Sequence, residues 1–293
     1  MDRIEFPEAI AGLVPLDRLR AVTAASTAIR DMVIPHFRFT EVISHLTKQH
    51  LRWRPGADVE AKCLLLYGKT RVGKTVPLRW YADQFPAFRD EKGMVRRVLY
   101  VVAPSGADKH SLQRRILRKL GIQVSLPSDI ATAVIDYQLR MQRVELVIID
   151  EFNHLADLKS TEKQYLAADM LKEFANWNSC QLAFSGLDSS LNVLEANGQL
   201  LNRSPYREEV KRYDWHATGE RVEFINFLAE LATALPFRRK LALDDVKVAQ
   251  RFACASGGLV GLAVEFVAVG AEIAVEQGTT DFKLQHLADA FDV

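Results

Sequence analysis

The chain of 293 residues lacks most of the features that would assign a class at a glance. It holds only three cysteines, Cys63, Cys180 and Cys254, odd in number and far apart. That spacing excludes a disulfide framework and a cysteine zinc site, and the apolar run around each thiol suits a reduced core residue. Neither sign of charge dominates: 38 Lys and Arg stand against 37 Asp and Glu, a formal net charge of +1. Any contact with nucleic acid must therefore come from a local patch and not from overall basicity. The chain also has no internal repeat and no low-complexity tract. Its most apolar stretch, Gly258 to Val275, is interrupted by Glu265 and Glu272, seven residues apart and hence on one helical face. Two carboxylates in lipid would be costly, so the stretch reads as a packed amphipathic helix and no membrane partner is expected. The opening Met1–Pro7 has no basic lead before a continuous apolar run, so a signal peptide is not expected and the cytoplasm is. With 48% hydrophobic and 26% charged residues, the chain has the composition of an ordinary globular protein. Its length suits one large domain and a smaller one.

Against this plain background one motif stands out. Gly68-Lys69-Thr70-Arg71-Val72-Gly73-Lys74-Thr75 spells G-x-x-x-x-G-K-[ST] directly after the apolar run Cys63–Tyr67. A buried strand, a glycine-bearing turn and then a helix is the setting a phosphate loop needs. Gly68 and Gly73 let the backbone curl so that successive N–H groups point inward at phosphate oxygens. Lys74 adds a full positive charge against the β- and γ-phosphates, and Thr75 offers a hydroxyl to Mg²⁺. Val76 continues into a helix, roughly Lys74 to Gln84, whose positive dipole end faces the same phosphates. The expected ligands are ATP and Mg²⁺.

The periodicity around this motif is readable. Apolar runs at Lys62–Tyr67, Val98–Val102, Leu146–Asp150 and Gln181–Phe184 alternate with helical spacing over Lys109–Leu120, Ile130–Gln142 and Lys163–Trp177. Strands without polar alternation argue for a parallel sheet covered on both faces. Before them, about residues 1–57 form an irregular lead with helical patches, such as Arg38–Gln49, closed by a turn at Trp53–Asp58. After about Trp215 only helical patterns remain: Gly219–Leu235, Leu243–Ala255, Leu259–Gln277 and Leu284–Phe291. The expected organisation is an extension over 1–57, an α/β nucleotide-binding domain over 58–215 and a helical domain over 216–293.

A second constellation lies at the end of the Leu146–Asp150 run. Beside a phosphate loop, Asp150 would hold the metal shell and Glu151 would orient and deprotonate an attacking water. Phosphoryl transfer needs little covalent help, so placed charge and a placed base are most of the apparatus. His154 follows, as a sensor of phosphate or partner or as a surface histidine. Ser185, at the tip of the next strand, either touches the γ-phosphate or its water, or caps the helix starting near Leu187. Arg203, at the end of the helical segment beyond, either reaches a neighbour's nucleotide from an exposed edge or forms a surface ion pair. Arg207 and Arg212 compete for the same part.

Together these pieces resemble an AAA+ ATPase, and more closely the TniB/TnsC transposition ATPases, cousins of MuB. The closer likeness rests on Val33–Glu41, on Leu99–Pro104 with Ile116–Gly121, on Ile148–Leu155 and on the turn Ser256–Gly261. The resemblance implies a P-loop α/β domain with a small helical lid, and an ATP-driven ring or helical oligomer on double-stranded DNA. It further implies recruitment of a transposase, guided by a target-selection adaptor, with hydrolysis dismantling the assembly. The DNA contacts would lie at Lys109, Arg114, Arg115, Arg118 and Lys119. Two departures bear on hydrolysis. The start of the third lid helix reads Leu259-Val260-Gly261-Leu262, without the arginine common there, and Ser204 follows Arg203 where an aromatic is common. A helicase-loader-like ATPase, or a nucleotide-switched scaffold without DNA, would share the phosphate loop and acid pair.

Overall fold

Apolar runs that alternate with helices can bury both faces only by lying side by side, and the structure, a computed structural model, shows them doing so. It describes residues 15–54, 61–106, 108–155, 165, 169, 171–172, 180–237, 239–279 and 281–291. The described strands are β1 (Cys63–Tyr67), the antiparallel hairpin β2 (Phe88–Asp90) and β3 (Gly93–Val95), β4 (Val98–Val102), β5 (Leu146–Asp150), β6 (Gln181–Gly186) and β7 (Tyr206–Glu209). All but the hairpin form one parallel sheet of order β4-β5-β6-β1-β7. The three central strands are almost entirely buried, which is why their sequences show no polar alternation.

The described residues fall into two compact units. The α/β unit comprises Arg38–Thr70 and Lys74–Lys211, and the helical unit comprises the chain up to Phe37, Arg71–Gly73 and the chain from Arg212 onward. The helices are α1 (Pro15–Arg30), α2 (Phe37–His50), α3 (Thr75–Asp83), α4 (Lys109–Lys119), α5 (Ser128–Met141), α6 (Ser190–Glu195), α7 (Gly198–Arg203), α8 (Thr218–Ala234), α9 (Val246–Ser256), α10 (Val260–Glu276) and α11 (Leu284–Phe291).

In the α/β unit, α4 shows how local chemistry sets an element. Asp108 Oδ1 accepts from Ser111 N, and Ser111 Oγ accepts from Asp108 N, both at 2.9 Å, a reciprocal capping box. Leu112, Ile116 and Leu117 then bury one stripe against α5 and β4. At the far end of the sheet, the buried Gln49 of α2 donates from its amide to Leu182 O at 3.0 Å. The neighbouring His50 is hydrogen-bonded to the Tyr81 hydroxyl at 3.0 Å and to Glu145 Oε2 at 2.8 Å, while Arg97 grips Glu145 at 2.9 Å through two nitrogens.

The helical unit has its own core, in which α1 packs along α10. The two carboxylates that interrupt the apolar stretch share one partner. Arg30 Nη2 lies 2.8 Å from Glu265 Oε1, and Arg30 Nη1 lies 3.1 Å from Glu272 Oε1. No single helix among the described residues is long and apolar enough to cross a membrane.

Some expectations need correction. The sheet has a fifth strand, β7, and a separate two-stranded hairpin, β2–β3, precedes β4, neither of which the apolar-run criterion detects. Residues Pro15–Arg30, within the lead expected to carry helical patches, form one long regular helix grouped with the helical unit. The helix expected from Leu187 is two short helices, α6 and α7. Cys63 and Cys180 are core thiols, with burial pushing each up to about 12, but Cys254 is exposed because it lies off the buried face of α9. Of the helix expected over Lys163–Trp177, Tyr165, Asp169, Leu171 and Lys172 are described and helical; the remainder, like residues 55–58 of the turn at Trp53–Asp58, lies outside the described residues.

His50 gives a pH signature. Burial lowers its pKa despite the pull of Glu145 in the opposite direction. Below the unfolded value, about 6.5, the unfolded chain takes up a proton that the folded chain resists, so stability falls with pH until the folded value is passed. Glu145, also lowered, acts in a separate window below the ordinary carboxylate range. Thermal unfolding between pH 7.5 and 5.5 should therefore lose less stability in His50→Gln than in wild type. Equal slopes would rule out His50 as the titrating group.

Candidate functional site

The order of the sheet determines what meets at its carboxyl edge. β6 lies between β1 and β5, so the loop leaving β1 and the acids leaving β5 flank the tip of β6, where Ser185 sits opposite Leu66. Gly68 N donates to Gly186 O at 3.2 Å and pins the start of the loop to that tip. Gly68 adopts φ +153°, and a side chain there would strike the Val210 carbonyl. Gly73 has φ +100° and Arg71, without a glycine's freedom, φ +62°. Lys69 and Thr70 form the exposed rise of the loop, and Val72 is buried.

The loop tip, Arg71–Gly73, groups with the helical unit. Arg71 O accepts from Gly261 N at 2.9 Å, Arg71 Nη1 lies 3.6 Å from Glu265 Oε2, and Gly73 faces Val260. An added Cβ at Gly261 would come within 2.8 Å of the Arg71 carbonyl oxygen. The missing arginine at the start of α10 thus has a physical reason at this position: backbone meets backbone there.

Lys74 ends the loop. Its Nζ donates to Gly68 O at 2.6 Å and Lys69 O at 2.8 Å. Burial lowers its pKa, while the charges of Asp150, Glu151 and Asp188 pull it up. Thr75 opens α3, with Val76 exposed behind it, and no side chain caps that helix end. The first N–H groups of α3 are therefore left to an anion.

Asp150 is the buried last residue of β5, and both its oxygens are engaged. Oδ1 accepts from Glu151 N at 2.9 Å and Oδ2 from the Tyr100 hydroxyl at 2.8 Å. Glu151 itself is left-handed, φ +56°, and half-buried. Strain of this kind at a non-glycine residue persists where the surroundings impose it, and such residues cluster at working sites. Ser185 is fully buried, and its Oγ has no hydrogen-bond partner among the described residues. It caps no helix: α6 begins at Ser190, and the N–H of Leu187 goes instead to Asn153 Oδ1 at 3.2 Å.

This donor set fits a nucleoside triphosphate with a divalent cation. An ammonium and an uncapped helix end suit phosphate, a hydroxyl and a carboxylate suit a hard cation, and an orphaned hydroxyl stands between them. The structure brings Lys74, Thr75, Asp150, Glu151 and Ser185 to adjacent strand ends of the sheet.

Other expected residues lie elsewhere. Arg203, in the last turn of α7, is half-buried with Nη1 out of solvent, and its charge is felt by the Cys63 thiol. It is less exposed than expected. Arg207 and Arg212 are exposed, and each donates to a backbone carbonyl, Ser204 O at 3.0 Å and Gly257 O at 3.4 Å. His154 is half-buried in the 3₁₀ turn Phe152–Leu155. On α4, Arg114, Arg115, Arg118 and Lys119 are exposed and Lys109 half-buried, and none forms an ion pair with a described residue.

Comparison with known proteins agrees with this geometry. The model of a family described as bacterial TniB protein matches residues 25–213. The chain belongs to the TniB family. The fold of this TniB protein is shared with the Aeropyrum pernix ORC2 protein, solved in ADPNP–ADP complexes, at TM-score 0.63 and 16% identity over 89% of this chain and 69% of that one. It is also shared with Cdc6p from Pyrobaculum aerophilum, at TM-score 0.66 and 16% identity over 90% and 69% of the two chains. The Aeropyrum pernix ORC1 protein in complex with DNA aligns at TM-score 0.61 and 17% identity over 88% of this chain and 65% of that one, a little under two thirds of its length. Comparison with curated proteins finds no match. At these identities the likeness speaks for the fold, which is that of an AAA+-type P-loop NTPase.

Two residues of the TniB site were not singled out from sequence. Tyr100 hides inside the apolar run Val98–Val102, although a tyrosine there needs a partner for its hydroxyl. Asn153 is buried and ties the acid turn to the end of β6. The orphaned Ser185 hydroxyl yields a test. Ser185→Ala removes a buried group that no bond repays, so the nucleotide-free protein should keep its stability to within about 1 kcal/mol or gain some. Denaturant unfolding measures this, and a clear loss would show that Ser185 serves the fold.

Proposed function

We propose that this TniB-family protein is an ATP- and Mg²⁺-dependent ATPase that assembles on double-stranded DNA and, through a target-selection adaptor, recruits and activates a transposase. The observation that carries the reading is the meeting of Lys74, Thr75, Asp150 and Glu151 around the unpartnered Ser185. Bound ATP supplies the phosphoanhydride and Mg²⁺ the charge that its oxygens share. The loop N–H groups and Lys74 hold the phosphates, and Thr75 and Asp150 hold the cation. Glu151 takes the proton of the attacking water, and Ser185 orients that water or the γ-oxygens. DNA contact falls to the exposed basic face of α4, repeated from copy to copy along the backbone. The ORC1 protein was solved with DNA and the ORC2 protein with nucleotides, which supports both halves of the reading. Three cysteines without disulfides suit a reducing cytoplasm.

With Gly261 packed on the loop tip, the charge that builds during hydrolysis needs a cation from elsewhere. We assign that part to Arg203 of a neighbouring copy, with Arg207 and Arg212 as the exposed alternatives. Such an arginine contributes roughly 10³–10⁵ in rate.

Lys74→Ala should abolish ATP binding, whereas Glu151→Gln should bind ATP normally and fail to turn it over. Nucleotide affinity and steady-state hydrolysis measured on both variants separate the roles. Wild-type turnover in Glu151→Gln would remove it as the base.

Electron microscopy should show assemblies on duplex DNA of any sequence when ATP is present, weakening steeply with salt. A monomer with and without DNA and nucleotide would favour the nucleotide-switched scaffold. Specific activity should rise with protein concentration, and mixing Arg203→Ala with Glu151→Gln should restore part of it. If Arg203→Ala turns over like wild type, the trans-acting arginine is Arg207 or Arg212.

A further inference from the structure

Beside the edge strand β4, the α/β unit has an open cleft of about 500 Å³. It is bounded by the end of α3, the turn that follows, and the end of α4. Three cations line it, Arg79, Arg96 and Lys119, against one carboxylate, Asp83. Its floor includes Tyr100, whose hydroxyl donates to Asp150 Oδ2 at 2.8 Å. The positive charge of Arg79 acts on the same hydroxyl. A hydrogen bond therefore runs from this cleft-lining tyrosine to the carboxylate at the end of β5, whose other oxygen accepts from Glu151 N. Lys119 belongs both to this cleft and to the exposed basic face of α4, so a polyanion lying along that face reaches the mouth of the cleft.

We propose that the cleft takes a backbone phosphate of bound DNA and that Tyr100 is a positioning residue that relays its arrival to Asp150. This rests on the nucleotide and DNA reading given above. A phosphate held by Arg79, Arg96 and Lys119 offers the Tyr100 hydroxyl a charged acceptor outside the site. A hydroxyl has one proton to donate, so as Tyr100 turns to the phosphate its donation to Asp150 weakens. Oδ2 is then freed toward the cation. The direction of the effect follows: DNA should lower the Mg²⁺ concentration at which nucleotide is held.

The test titrates Mg²⁺ against the full chain with a fluorescent ATP analogue, with and without duplex DNA, and measures DNA affinity separately. In wild type the Mg²⁺ midpoint should fall severalfold on adding DNA. Tyr100→Phe should bind DNA as wild type does yet show a single low midpoint with or without it. Arg96→Gln keeps Tyr100 and tests the cleft from its other wall; its midpoint should stay at the DNA-free value when DNA is bound. A full DNA-dependent shift in Tyr100→Phe overturns the relay. Inorganic phosphate alone should leave the midpoint in place, and an equal shift with it makes the cleft a free-anion site and overturns the assignment to DNA. A wild-type chain that binds no DNA overturns the proposed function and this inference together, whereas failure confined to the variants overturns the inference alone.

Discussion

The position of β6 between β1 and β5 is the constraint on which the rest depends. Parallel strands present all their carboxyl ends along one edge, and hydrogen-bonded neighbours lie only about 4.8 Å apart. A loop that leaves β1 and an acid that leaves β5 are therefore two strand spacings apart, with one residue of β6 between them. That residue is Ser185, so its hydroxyl occupies the centre of the site. The register Leu66–Ser185 and Ile149–Phe184 makes this a property of the backbone ladder and not of flexible side chains. Sites built on strand ends inherit the precision of the sheet.

That precision carries a local cost. Arg71 and Glu151 are held left-handed, Ser185 is desolvated without a partner, and Lys74 is buried enough for its charge to be disfavoured. The strained residues and the unpaired hydroxyl each cost on the order of 1–3 kcal/mol. They lie within one loop and two strand tips, although Arg143, in the turn before β5, is left-handed too. Nothing comparable is found in the packed centre of the sheet, where Phe152 stacks on Phe184 at 4.5 Å between ring centroids. The core of the α/β unit holds the unfavourable conformations in place, and a ligand of matching charge relieves several at once.

What the sequence made legible follows from the same physics. β1, β4, β5 and β6 are unbroken apolar runs, so burial on both faces can be read directly from them. The phosphate loop and the acid pair are legible because their chemistry restricts residue type at fixed spacing. β7 was missed because Tyr206-Arg207-Glu208-Glu209 at the sheet edge alternates half-buried with exposed and reads as a charged loop. The bounds and partner of α1 were not placed because its role depends on Arg30 meeting Glu265 and Glu272 more than 230 residues later. Tyr100 escaped because an aromatic in an apolar run reads as core, and only the fold shows which way its hydroxyl turns. Local restriction was readable in advance, whereas pairing across the chain was not.

The start of α10 shows the two kinds of information meeting. By resemblance, the absence of an arginine in Leu259-Val260-Gly261-Leu262 reads as a weakened catalyst. The contacts give that absence a structural cause. Gly261 donates its N–H to the carbonyl of Arg71, a loop residue held in a conformation it resists, and a side chain at Gly261 would be pressed against that carbonyl. Glu265, one turn further along α10, faces the Arg71 guanidinium and is itself gripped by Arg30. The first turn of α10 is thus committed to holding the loop tip by its backbone. A long cationic side chain at Gly261 would abandon that support for charge. Holding the loop tip by backbone and carrying a long side chain are incompatible at this one position, so the contact itself keeps residue 261 a glycine.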